Sequence, residues 1–178
     1  VIEKPLGPSV ESQPSSVYYQ NGYTWYSTLS NKLYRQSPNG MKLFYSNLDK
    51  PPNIFYSDSK RVLGNDNSNI YEGYPDDQSA RVDFKKIITL PESDHFGKRL
   101  LFEISGVIIT GQKKGLSAWY NNKLIFYKPI NDQSDLIEDL FIDNRNRLWM
   151  VMRDGGIEVF AIQDGNFSNY LQPMVKIN

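Results

Sequence analysis

The sequence predicts an all-β fold of about four four-stranded antiparallel blades, and three observations carry that reading. The first is composition. Twelve Tyr, nine Phe and three Trp in 178 residues accompany many Asn, Ser, Asp and Gly, so strand-favouring aromatics are interleaved with turn formers. The second is periodicity: short apolar or alternating runs are separated by turn clusters, and no stretch sustains a helical period with caps at both ends. The third is repetition. Trp149 lies eight residues before Ile157 around the turn Arg153-Asp154-Gly155-Gly156, and the same layout recurs at Trp25 and Leu33, at Val62 and Ile70, and at Ile108 and Leu116. The markers Leu33, Ile70, Leu116 and Ile157 are spaced by 37, 46 and 41 residues, which is the blade period of a β-propeller.

The elements follow in chain order. Residues 1–16 are rich in Pro, Ser and charge and read as a leader or linker. Residues 17–178 carry the blades, at about 17–48, 49–90, 91–130 and 131–173. The first blade is predicted to have strands at 17–20, 23–28, 32–36 and 42–46, and the second at 53–57, 61–64, 69–73 and 81–87. The third has 99–104, 107–111, 115–120 and 123–128; the fourth has 137–142, 148–152, 156–162 and 166–171. Pro38-Asn39-Gly40, Asn121-Asn122 and Asp164-Gly165 supply turn residues between the last two strands of their blades. Residues 174–178 alternate like a strand and are expected either to close the array or to begin a further blade. Four blades can close into a small ring, but the reading favours an incomplete one that needs further blades, a partner chain or a homo-oligomer to cover its open edges.

Charge and composition exclude several functions. With 20 basic and 20 acidic side chains, no Lys/Arg excess exists to neutralise phosphates, which argues against nucleic acid. With no cysteine and one histidine, His95, there is no disulfide framework, thiol nucleophile or multi-histidine metal centre. No apolar run is long enough for a membrane span. No secretory leader is visible at Val1, which fits a cytosolic protein or the processed form of an exported one.

The fourth repeat carries a recognisable signature. Asp143, Asn146, Leu148, Trp149, Gly155, Gly156, Ile157 and Phe160 follow the order apolar strand, Asp, turn, Leu-Trp, apolar strand, Gly-Gly, apolar, aromatic. This layout resembles the two-component-regulator propeller repeat. The third repeat keeps Gly106, Gly115, Leu116 and Trp119, with Ile108 where the Trp would stand; the first keeps Gly22, Trp25 and Leu33. The resemblance implies a periplasmic or extracellular sensor propeller of the kind found in bacterial hybrid two-component systems and related cell-surface proteins. Such sensor regions usually hold many more blades, followed by a membrane span and a kinase.

Candidate sites have competing readings. Trp25 and Trp149 suit either inter-blade packing or sugar stacking, and their recurrence at one repeat position favours packing. Trp119, on a third strand, is the better candidate for partial exposure. Asp143-Asn144-Arg145-Asn146 lacks the carboxylate spacing and Gly of a calcium loop and reads as a tight turn. Asp76-Asp77 and Glu92-Ser93-Asp94-His95 place acids together, but nothing supplies a nucleophile or a third partner. No glycine cluster is followed by the Lys-Ser/Thr of a phosphate loop. Binding is expected on the face formed by second-to-third-strand turns and blade-to-blade links: Ser30 and Asn31, Asp66 and Asn67, Lys113 and Lys114, Arg153 and Asp154. Lys113, Lys114, Arg153, Asp154 and Trp119 form the expected ligand set, suited to an oligosaccharide, with no catalytic residue, metal or cofactor assigned.

These readings lead to a non-catalytic recognition or sensor module for carbohydrate. A structural or assembly subunit docking through open blade edges is the alternative, and a propeller lyase or glycosidase is third.

Overall fold

Alternation in short runs such as Leu148-Trp149-Met150-Val151-Met152 puts successive side chains on opposite faces of a sheet, so each run needs neighbours on both sides. The computed structural model shows how the chain supplies them. It describes residues 13–20, 22–58, 60–66, 68–90, 100–112, 115–130, 136–163 and 171–177; among these described residues every regular element is a strand, and the chain divides into two units, residues 1–91 and 92–178.

The first unit holds two blades. Strands β1 (Pro14–Gln20), β2 (Tyr23–Thr28), β3 (Leu33–Ser37) and β4 (Gly40–Ser46) form the first, and β5 (Asn53–Ser57), β6 (Val62–Asn65), β7 (Asn69–Asp76) and β8 (Arg81–Thr89) the second. Within each blade, successive strands pair antiparallel. The outer strands β4 and β8 also pair, in parallel, at Tyr45↔Arg81 and Ser46↔Val82, giving one eight-stranded sheet of order β1-β2-β3-β4-β8-β7-β6-β5. Asn47 extends this join with its side chain: Oδ1 accepts from the Phe84 N–H at 2.8 Å and Nδ2 donates to the Phe84 carbonyl at 3.0 Å.

The two blades pack face to face. Trp25, Leu33 and Phe44 of the first meet Ile54, Val62, Val82 and Phe84 of the second in one buried cluster. The Trp25 and Phe44 rings lie 5.3 Å apart at 53°, a tilted geometry that suits aromatic quadrupoles. The Trp25 indole N–H donates to Ser57 Oγ on β5 at 3.0 Å, so the buried polar edge of the ring is paired across the interface. Gly73 makes room here, because a Cβ at that position would lie 2.7 Å from Val82 and 2.8 Å from Phe84.

The second unit repeats the plan. Its third blade is β9 (Leu100–Ile104), β10 (Val107–Gln112), β11 (Gly115–Tyr120) and β12 (Lys123–Pro129), and its fourth is β13 (Ile137–Ile142), β14 (Arg147–Met152), β15 (Gly156–Ile162) and β16 (Leu171–Ile177). Val107, Ile109, Leu116 and Ala118 pack against Leu140, Leu148, Met150 and Phe160. Phe126 meets Phe160 edge-on at 6.3 Å, and Lys128 Nζ reaches Glu158 at 2.9 Å across the blades.

The β-propeller-type array of antiparallel four-stranded blades is therefore present, with three corrections to the expected elements. The first strand begins earlier than the expected residue 17: β1 starts at Pro14, and Ser15 and Ser16 hydroxyls lie 3.0 and 2.5 Å from Ser27 Oγ. The expected strand at 166–171 lies outside the described residues except for Leu171; the strand that follows β15 among the described residues is 171–177, which takes up the alternating tail. It pairs antiparallel with β15, placing Lys176 opposite Glu158, an opposite-charge pair that suits this register. Finally, the residues equivalent to Trp25 and Trp149 are Leu63 and Ile109, not Val62 and Ile108. Ile109 faces the core of its unit as Trp25 does, and Leu63 lies off it as Trp149 does. Small differences in turn length cause this, since a one-residue slip exchanges the two faces of a strand.

Replacing Trp25 by Ala should cost about 3–5 kcal/mol, the range for deleting a buried aromatic, and Ser57→Ala about 1 kcal/mol for the indole hydrogen bond. Urea unfolding monitored by circular dichroism checks both; a midpoint unchanged in Trp25→Ala would contradict the inter-blade role.

Candidate functional site

Strand ends in this chain are closed by acceptor side chains that turn back on the backbone. Thr28 ends β2: its N–H donates to the Lys32 carbonyl at 3.0 Å, and its Oγ1 accepts from the Lys32 N–H at 3.1 Å. Asp66 ends β6 in the corresponding turn of the second blade. Its Oδ1 accepts from the N–H groups of Ser68 and Asn69 at 2.6 and 2.7 Å, and its Oδ2 accepts from the Tyr71 hydroxyl at 2.7 Å. This is the Asx-type turn that Asp favours.

Beside that turn runs the link from β4 to β5. Pro51 and Pro52 are buried, and the absence of a side chain at Gly64 lets them lie against β6, since a Cβ there would come within 2.8 Å of Pro52. Link and turn together wall a polar cleft of about 330 Å³, lined by Lys50, Pro51, Asn53, Asn65, Asp66, Ser68 and Asn69. Asn53 Oδ1 accepts from Ser27 Oγ at 3.3 Å, and the Asn69 amide donates to Asp66 and to Tyr71. Lys50 is exposed at the rim.

Electrostatics in the cleft centre on Asp66. Burial pushes its carboxyl up, but the Tyr71 hydroxyl, the Ser68 and Asn69 N–H groups and the Asn69 amide outweigh this, and the group titrates below the usual carboxylate range. Burial and the Asp66 charge push the Tyr71 phenol up. The lining thus offers an ionised carboxylate already engaged by its own turn, one ammonium, amides and a hydroxyl. That set can orient a polar neutral or anionic ligand by hydrogen bonds.

Asp143 closes the β13–β14 turn in the same way but more heavily. Its Oδ1 accepts from the N–H groups of Arg145 and Arg147 at 2.9 and 3.0 Å. Its Oδ2 accepts from Arg147 Nε at 2.7 Å and from the Trp149 indole at 2.9 Å. Desolvation raises this carboxyl's pKa, yet the Arg147, Trp149 and backbone hydrogen bonds dominate and hold it far below the usual range. Asn146 takes a left-handed φ of 54°, as Asn tolerates. The predicted tight turn at 143–146 is what forms.

The expected ligand residues do not assemble as one set. Lys113 and Lys114 lie outside the described residues. Arg153 is engaged by Glu138, Nε to Oε1 at 2.6 Å, and Asp154 is exposed in the same β14–β15 turn. Trp119 sits at the other end of its blade, next to the Asn121-Asn122 hairpin. Its indole donates to Ser117 Oγ at 3.1 Å, in a buried network where Ser117 meets Thr110 at 2.7 Å and Gln112 donates to Thr110 at 2.9 Å. Among the paired acids, Asp76 accepts from Gln78 N–H and Ser79 Oγ and Asp77 pairs with Arg35; 92–95 lie outside the described residues. Sequence reasoning named Asp66 but missed Lys50, Asn53, Asn65, Ser68 and Asn69. The signal was the Lys50-Pro51-Pro52-Asn53 link, a stiff segment entering a strand.

No family model and no curated protein matches the chain. Solved structures do. The designed Ika4 protein aligns with a TM-score of 0.60 at 10% identity, covering 89% of this chain and 96% of that one. Streptogramin B lyase aligns with a TM-score of 0.62 at 14% identity, over 94% of this chain and 56% of that one. YCF48 bound to D1 peptide aligns with a TM-score of 0.56 at 15% identity, over 92% and 54%. The chain thus spans about half the length of the last two, and the likeness is one of propeller fold.

Because Asp66 and Asp143 have folded-state pKa values below the ordinary 3.8, their contribution to stability is complete above about pH 4 and is lost as pH falls through the lower folded values. Thermal midpoints followed from neutral pH into acid should drop in that window. Asp143→Asn should be less stable at neutral pH and show a shallower acid limb.

Proposed function

We propose that this chain is a non-catalytic recognition module that binds carbohydrate in the polar cleft between the Lys50–Asn53 link and the Asp66 turn. The observation that carries the proposal is the lining itself. Asn53, Asn65 and Asn69 amides, the Ser68 hydroxyl and the Lys50 ammonium surround a cleft large enough for about one or two sugar rings by the usual volumes of small-molecule sites. Sugar hydroxyls both donate and accept, and side-chain amides match them in both senses. Lys50 adds a preference for acidic sugars.

The repeat signature around Asp143, Leu148 and Trp149 supports the wider reading, a periplasmic or cell-surface sensor similar to two-component-regulator propellers. The catalytic alternative is a lyase or glycosidase, and its acid–base pair would have to come from carboxylates such as Asp66, Asp76 and Asp143. Each of these already accepts two or more hydrogen bonds from its own turn, which favours a closing role over proton transfer.

Thermal-shift and calorimetric titration against neutral and uronate-containing oligosaccharides tests the proposal. A binding fragment should raise the melting temperature with concentration. Lys50→Ala and Asn53→Ala should each weaken it by about tenfold, one lost charge-assisted or amide contact. Absence of any shift across the panel, or binding indifferent to both substitutions, would refute the cleft. Release of shortened or unsaturated sugars, read by mass spectrometry, would instead establish an enzyme.

A further inference from the structure

Hydrogen bonds within the cleft wall decide which of its polar atoms a ligand can still use. The lining has one carboxylate among the described residues, Asp66, and its own turn occupies it. Oδ1 accepts from the N–H groups of Ser68 and Asn69, and Oδ2 accepts from the Tyr71 hydroxyl and the Asn69 amide. A carboxylate offers about four acceptor sites, so this one has none left for an incoming ammonium. Asn69 is engaged in the same way: Nδ2 donates to Asp66 at 3.2 Å, and Oδ1 accepts from the Thr89 hydroxyl at 3.3 Å. Tyr71 packs against the buried cluster of its unit, which holds this part of the lining in place.

Asn53 and Asn65 differ. They are cross-strand partners on β5 and β6, and each has half of its amide committed. Asn53 Oδ1 accepts from Ser27 Oγ at 3.3 Å, and Asn65 Nδ2 donates to the Asp66 carbonyl at 3.1 Å. Among the described residues no hydrogen bond engages Asn53 Nδ2, Asn65 Oδ1 or the Lys50 ammonium. Besides the Ser68 hydroxyl, the lining therefore keeps two donors, one of them charged, and a single amide acceptor. A carboxylate suits the donors, because charge-assisted hydrogen bonds are roughly twice as strong as neutral ones. A hydroxyl suits the acceptor.

We propose that the ligand class of this cleft is a sugar acid. Lys50 and Asn53 Nδ2 bind the carboxylate of a uronate, and a neighbouring ring hydroxyl donates to Asn65 Oδ1. This rests on the carbohydrate reading of the cleft and narrows it: the carboxylate is the anchoring group, and Asn53 is the residue that sets the specificity. An amino sugar gains nothing, since the carboxylate that would receive its ammonium is already engaged.

Calorimetric titration of the 178-residue chain with glucuronate and galacturonate, their methyl esters, glucose, galactose and glucosamine tests this. At least one uronate should bind about tenfold or more tighter than its ester and its neutral counterpart, with an affinity that falls as salt is added. Glucosamine should bind no better than glucose. Asn53→Asp separates recognition from folding. Aspartate keeps an oxygen to accept from Ser27 and replaces the amide donor by a second oxygen. The ligand-free melting temperature should stay near the wild-type value, while the advantage of the uronate over its ester is lost. Lys50→Gln, at an exposed position, should cut that advantage by about tenfold and flatten the salt dependence. Equal affinity for acid, ester and neutral sugar, or an acid preference that survives both substitutions, overturns the sugar-acid assignment and leaves the carbohydrate reading standing. Absence of binding by every sugar overturns both.

Discussion

Two sheets lying face to face are the condition on which everything else in this protein rests. A four-stranded meander satisfies its inner backbone groups within itself, yet it presents apolar residues on both faces and cannot cover either one. Trp25 shows the consequence most directly. Its ring is buried only because β5, β6 and β8 of the next blade lie over it, and its indole N–H is paired only because Ser57 comes from that same neighbour. The Lys128–Glu158 pair plays a comparable part in the second unit, tying an outer strand of one blade to the third strand of the next.

Once the faces are fixed, the turns become the places where chemistry can differ. Thr28, Asp58, Asp66, Asp76 and Asp143 all fold a side-chain oxygen back onto N–H groups two to four residues ahead. This is a structural use of carboxylates, and it gives Asp58, Asp66, Asp76 and Asp143 their place at strand ends. It also explains why pairs such as Asp76-Asp77 attract attention as acid–base candidates and yet are engaged elsewhere. The cleft beside Asp66 arises where such a turn meets a proline-stiffened link, and its lining consists of what those two segments leave pointing outward.

Much of the architecture was legible because strand and turn signals are local. The Asn121-Asn122 hairpin follows from side chains that tolerate φ > 0, and both residues adopt it, at 47° and 63°. Blade period and most strand positions follow from spacings among Trp25, Leu33, Ile70, Leu116, Trp149 and Ile157. The cleft was legible only in part: Asp66 stood out as a turn residue, whereas Lys50 and Asn53 lie 13 to 16 residues earlier in the chain and meet it only through the packing of Pro52 on Gly64.

Local patterning therefore settles that this is a chain of short antiparallel strands in four repeats, because alternation and turn residues act within a few positions of one another. Which face of each strand is inside is a different matter. It hinges on turns that differ by a single residue, which is why Ile109 rather than Ile108 stands where Trp25 does. The parallel join of β4 to β8, the clip made by Asn47 on Phe84 and the assignment of 171–177 to the fourth blade likewise depend on partners far apart in sequence. Such pairings are set by burial of whole faces, a collective quantity that no short window of residues contains.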